Sequence, residues 1–316
     1  MIKVELHCHL DGSLNIEFVN EMLQEQGVVY EKDVLKEKLE VRPDCTSLTE
    51  YLEKFELPLR CLQTKEGLRR GACELVRDVA KEQVKYIEVR FAPMLSTDRG
   101  LSCKEVIESV VDGLKQGEKT YGVYASAIVC AMRHHSLEKN MEMLEAARPF
   151  VGKGVCALDL AGDESAFPTV LFRQLFEKAN EWGVPFTIHS GETGNVENVR
   201  EAIELGAKRL GHGIALWKSP ELMEFCKEKR VGIEMCPTSN LQTKAISDME
   251  QYPLEDFLER GLLVSIHTDN RTVSGTTMEK EQLYFSEDIQ KKCLLNAIET
   301  AFTTEDIKEE LRGYLE

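Results

Sequence analysis

The 316-residue sequence lacks the features that define several protein classes. No stretch reaches the about 18 consecutive apolar residues typical of a membrane-spanning helix. Met1 is not followed by the basic and apolar segments of a signal peptide. The ten cysteines include no C-x-x-C pair, which excludes a zinc ribbon or a thiol redox motif. We therefore expect no membrane partner and a location in the reducing cytoplasm.

Positive charge is also in short supply. The chain has 39 Lys and Arg residues against 55 Asp and Glu residues, and its formal net charge is −16. Proteins that follow a phosphate backbone need clustered Lys and Arg, so nucleic acid is excluded as a partner. With 42% apolar and 30% charged residues, the composition is that of an ordinary globular chain.

No internal repeat, low-complexity tract or flexible linker divides the chain, which predicts a single domain over residues 1–316. Eight β-prone runs alternate with amphipathic segments of helical spacing. The runs are Ile2–Leu10, Tyr86–Pro93, Val123–Met132, Val155–Ala161, Pro185–Ser190, Arg209–Ile214, Val231–Cys236 and Leu262–Thr268. This order predicts an α/β fold, a (β/α)₈ TIM barrel, with a doubly wound open sheet as the alternative.

The spacing of the predicted strands is uneven at one place. Most strand ends are separated by roughly 20 to 40 residues, the length of one βα unit, whereas the first gap, from His9 to Phe91, is about twice as long. Residues 14–83 have the pattern of several helices. Helices inserted after the first strand would lie over the mouth of a barrel, so this segment is predicted to include a helical lid.

Histidine is scarce, with seven residues, and its placement is informative. His7 and His9 are two apart in a strand, so their side chains share one face. Alone, this pair fits an incidental pattern as well as half a metal site. The other histidines end or follow predicted strands: His134, His135, His189, His212 and His267. Because the active site of a (β/α)₈ barrel lies at the carboxyl ends of its strands, this placement indicates a catalytic mouth.

Two acidic residues accompany these histidines. Glu192 follows His189 across a glycine turn, and Asp269 follows the eighth strand. A catalytic zinc takes three or four nitrogen and oxygen ligands and leaves one position for water. His7, His9, His189 and Asp269 would supply that set. Other interpretations are a salt bridge or helix cap for Glu192 and an N-cap for Asp269.

Several other catalytic motifs are absent. The sequence contains no H-E-x-x-H, no G-x-S-x-G, no Walker A loop and no P-C-x-x-C of the cytidine-deaminase type. The predicted fourth strand has no lysine that could bridge two metals when modified. A single metal ion is therefore favoured.

Six segments together resemble the adenosine deaminase family. They are ELHCHLDG (Glu5–Gly12), DLAGDE (Asp159–Glu164), HSGE (His189–Glu192), LGHG (Leu210–Gly213), CPTSN (Cys236–Asn240) and TDN (Thr268–Asn270). The resemblance implies a (β/α)₈ barrel with one Zn²⁺ per chain. It also implies hydrolysis of adenosine or deoxyadenosine to inosine or deoxyinosine and ammonia, by a zinc-activated water that attacks purine C6.

The resemblance also implies roles for individual residues. The residues that match the zinc ligands are His7, His9, His189 and Asp269. Glu192 matches the catalytic acid beside purine N1, and His212 matches the histidine that orients the attacking hydroxide. Asp269 is expected to polarise the same hydroxide. His267 stands where Asn is more usual in the family, and we expect it to support the site without binding the metal.

Substrate contacts are implied for a further group of residues. Gly162 matches the backbone donor to purine N3, and Asn270 matches the residue that faces N7. Asn270 replaces a second Asp of the animal enzymes, a change common in bacterial-type sequences. Asp11 matches the acid near a ribose hydroxyl, and His9 is expected to contact substrate as well as metal.

Three alternatives remain within this resemblance. The adenine deaminases usually carry Glu where this chain has Asp11, so Asp11 favours a nucleoside over the free base. A preference for 5′-modified adenosines such as methylthioadenosine would depend on residues within Thr49–Thr64. A non-catalytic nucleoside-binding relative would lack the acid or a ligand, whereas every such position is filled here. The sequence does not define the oligomeric state.

Overall fold

The computed structural model describes residues 1–42, 45, 51 and 53–315. The strands are β1 Lys3–His9, β2 Val84–Phe91, β3 Tyr124–Met132, β4 Val155–Ala161, β5 Thr187–Ser190, β6 Arg209–His212, β7 Gly232–Met235 and β8 Leu263–Ile266. Each overlaps one predicted run, and all are buried for most of their length. Parallel strands that are covered on both faces consist mainly of apolar residues, and for this reason they could be predicted from the sequence.

The strands close into a ring. β1 to β4 pair in order in one parallel sheet, and β5 to β8 pair in order in a second. A bridge between Leu158 of β4 and Phe186 joins the sheets on one side, and a bridge between Cys8 of β1 and Asp269 joins them on the other. At the second junction, the Asp269 N–H donates to the His7 carbonyl over 2.8 Å. The (β/α)₈ barrel is confirmed, and the open-sheet alternative is wrong.

Helices cover the outside of the ring. They are α1 Ile16–Glu25, α2 Lys32–Leu39, α3 Glu56–Cys61, α4 Lys65–Ala80, α5 Cys103–Tyr121, α6 Leu137–Ala147, α7 Arg173–Glu181, α8 Val196–Leu205, α9 Pro220–Glu228, α10 Pro237–Gln242, α11 Leu254–Glu259, α12 Met278–Gln282, α13 Glu287–Thr300 and α14 Glu305–Gly313. In α4 the buried face contains Leu68, Leu75 and Val76, as the helical spacing of apolar residues predicts. Among the residues that the structure describes, no helix is both long and apolar enough to cross a bilayer.

The long gap between β1 and β2 is occupied by helices α1 to α4. From this stretch, Tyr51, Phe55 and Leu59 line a cavity at the carboxyl ends of the strands. The segment Thr49–Thr64, expected to set any preference at the 5′ position, is only partly covered. Residues 49, 50 and 52 lie outside the described residues.

The inside of the barrel below this cavity carries buried charges. Arg90 on β2 donates to Asp159 on β4 over 3.0 Å and to Glu234 on β7 over 2.7 Å. Arg209 on β6 donates to the same Glu234 over 2.5 Å and pairs with Glu88. A buried charge is costly unless paired, so these ion pairs hold the strands in one arrangement beneath the mouth.

Candidate active site

A cavity of about 380 Å³ lies at the carboxyl ends of the strands. Its wall includes His9, His189 and His212 from three strands, together with Glu192 and Asp269. A larger depression of about 700 Å³ near Lys3 and Lys81 is lined by mixed surface charges and touches none of the predicted site residues. The cavity at the strand ends is therefore the candidate site.

Four of the predicted residues meet at the floor of the cavity. One donor atom from each of His7, His9, His189 and Asp269 lies within 4.8 Å of the others. The Nε2 atoms of His9 and His189 are 3.1 Å apart, and Asp269 Oδ1 lies 3.4 Å from Nε2 of both His7 and His9. Three imidazoles and one carboxylate converging in this way match the donor set of a catalytic metal site.

Two of these histidines have a carboxylate behind them. His7 Nδ1 is 2.8 Å from Glu234 Oε2, and His189 Nδ1 is 2.9 Å from Asp159 Oδ2. For His7, a proton on Nδ1 directed at Glu234 leaves the Nε2 lone pair facing the cavity, which is the tautomer that a metal ligand needs. In agreement, His7 Nε2 is buried without a hydrogen-bond partner in the structure. The His189 contact with Asp159 is an ion-pair distance without the alignment of a hydrogen bond.

The charges around the cluster favour a bound cation. Burial lowers the pKa of His9 and His189, which keeps both imidazoles neutral. Burial and Arg90 also act to lower the pKa of His7, but the carboxylates of Asp269 and Glu234 outweigh them and raise it. Burial opposes ionisation of Asp269, yet the neighbouring histidines hold its pKa well below the usual range. The site thus presents two neutral imidazoles, those of His9 and His189, and two carboxylates that attract positive charge to His7.

The backbone around the cluster is strained in a way that aims its side chains. Asp269 and His212 have φ values of 58° and 65°, a region that residues other than glycine rarely adopt. Asp269 is held by Ser239, whose hydroxyl donates to Oδ2 over 2.6 Å. Gly211 leaves room for the cluster, since a Cβ there would lie 3.1 Å from both the His7 ring and the His189 backbone.

Glu192 faces the same cavity from the turn that follows β5. Gly191 has a φ of +84°, which turns the chain so that the Glu192 side chain projects over the strand end. Burial, followed by the charges of Asp269 and Glu164, raises the pKa of Glu192 to about 8. A carboxyl group in this environment is protonated at neutral pH and can donate a proton.

His212 lies beside Glu192, with its Nε2 atom 3.7 Å from Glu192 Oε2. The Asn240 amide donates to His212 Nδ1 over 3.0 Å, and the Tyr252 hydroxyl donates to the Asn240 carbonyl oxygen over 2.9 Å. This chain of donors assigns the ring proton of a neutral His212 to Nε2. His212 therefore presents an N–H group toward the cavity.

The residues predicted to contact substrate also line the cavity. Asp11 is buried in the short 3₁₀ turn after β1, Gly162 follows β4, and Asn270 follows Asp269. The Asn270 Oδ1 atom is packed so close to Gly12 that a Cβ there would lie 1.8 Å from it. The Asn270 amide is therefore packed against Gly12 at the cavity wall.

The remaining histidines lie outside the four-residue cluster. His267 accepts a hydrogen bond from the Leu6 N–H over 3.1 Å, and its other ring nitrogen lies 2.7 Å from the Ser265 hydroxyl. Both ring nitrogens are thus engaged away from the metal ligands. His134 is exposed at the cavity wall, and His135 is half-buried in the loop after β3.

Sequence reasoning missed the carboxylates behind the histidines. Asp159 was part of a recognised motif without an assigned role, and Glu234 was not singled out at all. The available signal was a Glu in the middle of the fully buried strand β7. A buried charge needs a partner, so such a residue identifies a paired site even when the partner is unknown.

Known proteins resemble this chain in sequence and in fold. The sequence model of the family described as "Adenosine deaminase" matches residues 2–316. A curated adenosine deaminase from Clostridium perfringens (strain SM101 / Type A) is 43% identical, over 98% of this chain and 96% of the relative.

Among solved structures, the adenine deaminase from Arthrobacter aurescens has a TM-score of 0.90 at 24% identity, covering 98% of this chain and 96% of its own. A cog1816 amidohydrolase from Burkholderia ambifaria, solved with bound Zn, has a TM-score of 0.88 at 22% identity, covering 99% and 89%.

The fold and the site define a (β/α)₈-barrel protein with a candidate metal centre of three histidines and one aspartate. Because the family model spans nearly the whole chain, the particular family is also established. The chain belongs to the adenosine deaminase family.

Proposed function

We propose that this chain catalyses the hydrolytic deamination of adenosine and deoxyadenosine to inosine and deoxyinosine, with release of ammonia. The observation that carries the proposal is the position of Glu192, a carboxyl group with a raised pKa that faces the same cavity as the histidine and aspartate cluster. The test is loss of the adenosine absorbance band with matching ammonia release. A metal-loaded preparation inert toward adenosine would contradict the proposal.

The metal is proposed to be one Zn²⁺ per chain, held by His7, His9, His189 and Asp269. Two observations support zinc binding by these residues. Their donor atoms converge within 4.8 Å, and His7 Nε2 is buried without a hydrogen-bond partner. Imidazole and carboxylate donors are a set that zinc accepts. When bound, zinc supplies a Lewis acid that makes water nucleophilic at neutral pH.

The protein's own residues carry the proton transfers and the orientation. Protonated Glu192 gives its proton to purine N1 as the attacking water forms its bond to C6. One proton of that water passes through the Asp269 carboxylate to the amino group, which leaves as ammonia, and the other returns to Glu192 as C6 becomes a carbonyl. The N–H of His212 orients the attacking oxygen, and the Asp269 carboxylate accepts a hydrogen bond from it. The buried position of His212 and Asp269 at the cavity floor supports this assignment.

Purine and ribose are proposed to be held by residues at the ends of three strands. The Gly162 N–H would donate to purine N3, and the Asn270 amide nitrogen would donate to N7. Asp11 would accept a hydrogen bond from a ribose hydroxyl, with His9 beside it. The position of Asp11, Gly162 and Asn270 in the cavity wall supports these contacts.

The cavity wall favours an uncharged ligand. No Lys or Arg is found among the described residues that line it, whereas Asp11, Asp163 and Asp269 all contribute carboxyl groups. A phosphate ester placed among these groups would be repelled and would lack a cationic partner. We therefore infer a neutral nucleoside as substrate, in preference to a nucleotide.

The substrate preference is expected to depend on the charges of the residues that line the cavity. Adenosine and deoxyadenosine should exceed both adenine and AMP in kcat/KM, because adenine leaves Asp11 unpaired and AMP meets like charge. The measurement compares kcat/KM for the four compounds under identical conditions. The matched variant is Asp11→Ala, in which the preference for adenosine over adenine should collapse. An intact preference in that variant, or adenine as the preferred substrate, would overturn the assignment of Asp11.

A second candidate substrate class is the 5′-modified adenosines, such as methylthioadenosine. The observation in its favour is the apolar wall formed by Phe55, Leu59 and Leu95, which would accept a thioether as readily as a hydroxymethyl group. Adding methylthioadenosine to the same comparison decides between the two classes. Equal or higher kcat/KM for methylthioadenosine would favour the second.

The pH dependence of kcat/KM is expected to show an alkaline limb set by Glu192. Burial, with the charges of Asp269 and Glu164, raises the pKa of Glu192 to about 8, and the protonated form is the active one. Activity is therefore present below that pKa and falls about tenfold per pH unit above it. The residual activity of Glu192→Gln serves as the control and should lack this limb. A wild-type limb near the ordinary carboxyl pKa of about 4.3 would refute the acid role.

The cellular setting and the domain arrangement are also proposals. Nine of the ten cysteines are buried, none of them in a disulfide, which supports a location in the cytoplasm. We propose that residues 1–316 form a single barrel domain, with the helices of residues 14–83 including the lid. The contribution of Tyr51, Phe55 and Leu59 to the cavity wall supports the lid.

A further inference from the structure

Glu164 is a buried acid in the loop after β4 that the proposed chemistry does not use. The residue is 3% exposed. Oε2 accepts a hydrogen bond from the Gly191 N–H over 2.9 Å. Oε1 accepts two from Thr193, one from the backbone N–H over 2.6 Å and one from the hydroxyl over 2.9 Å. Both oxygens of the carboxylate are thus bonded to the turn after β5.

These contacts enclose Glu192. The backbone N–H groups bonded by Glu164 belong to the residues immediately before and after Glu192 in the chain. Gly191 already has the φ of +84° that this turn requires. With the backbone fixed on both sides, the direction in which the Glu192 side chain leaves the turn is also fixed.

Glu164 is itself held in place by Asn198 on α8. The Asn198 amide nitrogen lies 3.2 Å from Glu164 Oε2 and 3.2 Å from the Glu164 carbonyl oxygen, and it donates to both. The Asn198 side-chain oxygen accepts from the Thr169 N–H over 2.9 Å. The loop after β4, the turn after β5 and helix α8 are therefore tied together at one carboxylate.

We propose that Glu164 is a positioning residue for the reaction, and that its carboxylate clamps the backbone on both sides of Glu192 and aims that side chain at the substrate. This inference rests on the proposed deaminase function. Catalysis by a general acid depends on its alignment with the accepting atom, and a misplacement of about 1 Å can lower the rate by about 10²-fold. A clamp built only to stabilise the fold would not need to flank the acid so closely.

The charge of Glu164 has a second consequence. It adds to burial and to the charge of Asp269 in raising the pKa of Glu192, while Thr243 and His7 act in the opposite direction. His212 also faces Glu192, over 3.7 Å. The positive charge of Arg133 also interacts electrostatically with Glu164. Removal of the Glu164 charge should therefore lower the pKa of Glu192.

The test compares Glu164→Gln, Glu164→Asp and the control Glu197→Gln in the zinc-loaded full-length protein, with adenosine as substrate. Glu197 is an acid on α8 whose side chain is 78% exposed. In Glu164→Gln, kcat should fall by roughly 10- to 100-fold while KM changes by less than about threefold. Its alkaline limb should move to lower pH.

Glu164→Asp keeps the charge but withdraws the carboxylate by one methylene. Its kcat should fall while the alkaline limb stays at the wild-type pH. Glu197→Gln should match the wild type in both. Zinc content and Tm are measured for every variant. Should Glu164→Gln fail to fold, Thr193→Val removes one contact of the clamp and should lower kcat by a few fold.

Wild-type kcat and an unmoved limb in both Glu164 variants would overturn the inference. A kcat loss that matches the loss of zinc or of folded protein would also overturn it, since that result defines a purely structural role. The proposed function would be contradicted by a different result, namely a wild-type protein that is itself inactive toward adenosine.

Discussion

Glu192→Gln is expected to lower kcat for adenosine by roughly 10²–10⁴-fold, the range that a positioned general acid contributes. Glutamine has nearly the shape of a protonated glutamate and can donate a hydrogen bond, but it cannot transfer a proton to purine N1. Because the wild-type side chain is only 18% exposed and its pKa is raised to about 8, the substitution removes the proton without leaving a charge uncompensated. KM should therefore change far less than kcat.

Metal content separates this role from a structural one. Glu192 is not among the four residues whose donor atoms converge, so the variant should retain one zinc per chain by elemental analysis. A metal-free Glu192→Gln protein would show that Glu192 is a ligand, and the acid role would then be wrong. Glu197→Gln removes one acid from an exposed position and should keep full activity.

Removal of the metal with a chelator should abolish deamination. Lewis acidity contributes several kcal/mol to such reactions, which at 1.36 kcal/mol per tenfold corresponds to a loss of about 10³-fold or more. One equivalent of zinc per chain should restore the rate. Activity that survives complete removal, confirmed by elemental analysis, would contradict the metal centre.

The ligand set can be tested in the same experiment with His9→Gln. His9 has a side-chain exposure of 14%, and the carboxylates behind the cluster belong to the other histidines, His7 and His189. Its loss should therefore not take a partner away from Glu234 or Asp159, whereas loss of His7 would remove one from Glu234. We expect His9→Gln to bind zinc weakly, and His135→Gln to keep one zinc per chain. Equal zinc content in the two variants would remove His9 from the ligand set.

The sequence predicted much of the barrel because its signals are local. Eight apolar runs alternating with amphipathic helices define the fold class. The barrel then brings every strand end to one face, so residues as distant as His7 and Asp269 are predicted to meet. The strand boundaries were predicted less accurately than the strands themselves. For example, β5 begins at Thr187, whereas the predicted run begins at Pro185.

The supporting contacts could not be predicted in this way. Glu234 lies 227 residues from His7 in the chain, and Arg90 lies 69 residues from Asp159. No spacing rule links such residues, since which strands pair their interior side chains depends on the tilt and register of the closed barrel. Glu164 is a further case, because its partners are on a different loop.

The fold class could be predicted from the eight alternating runs, and the candidate donors and the candidate acid from short motifs at the ends of strands. Only the tertiary structure decided which tautomers face the cavity, how the pKa of Glu192 is raised, and what holds its turn. Those properties arise from burial and from charges on other strands. They exist only once the barrel has closed and excluded water from its mouth.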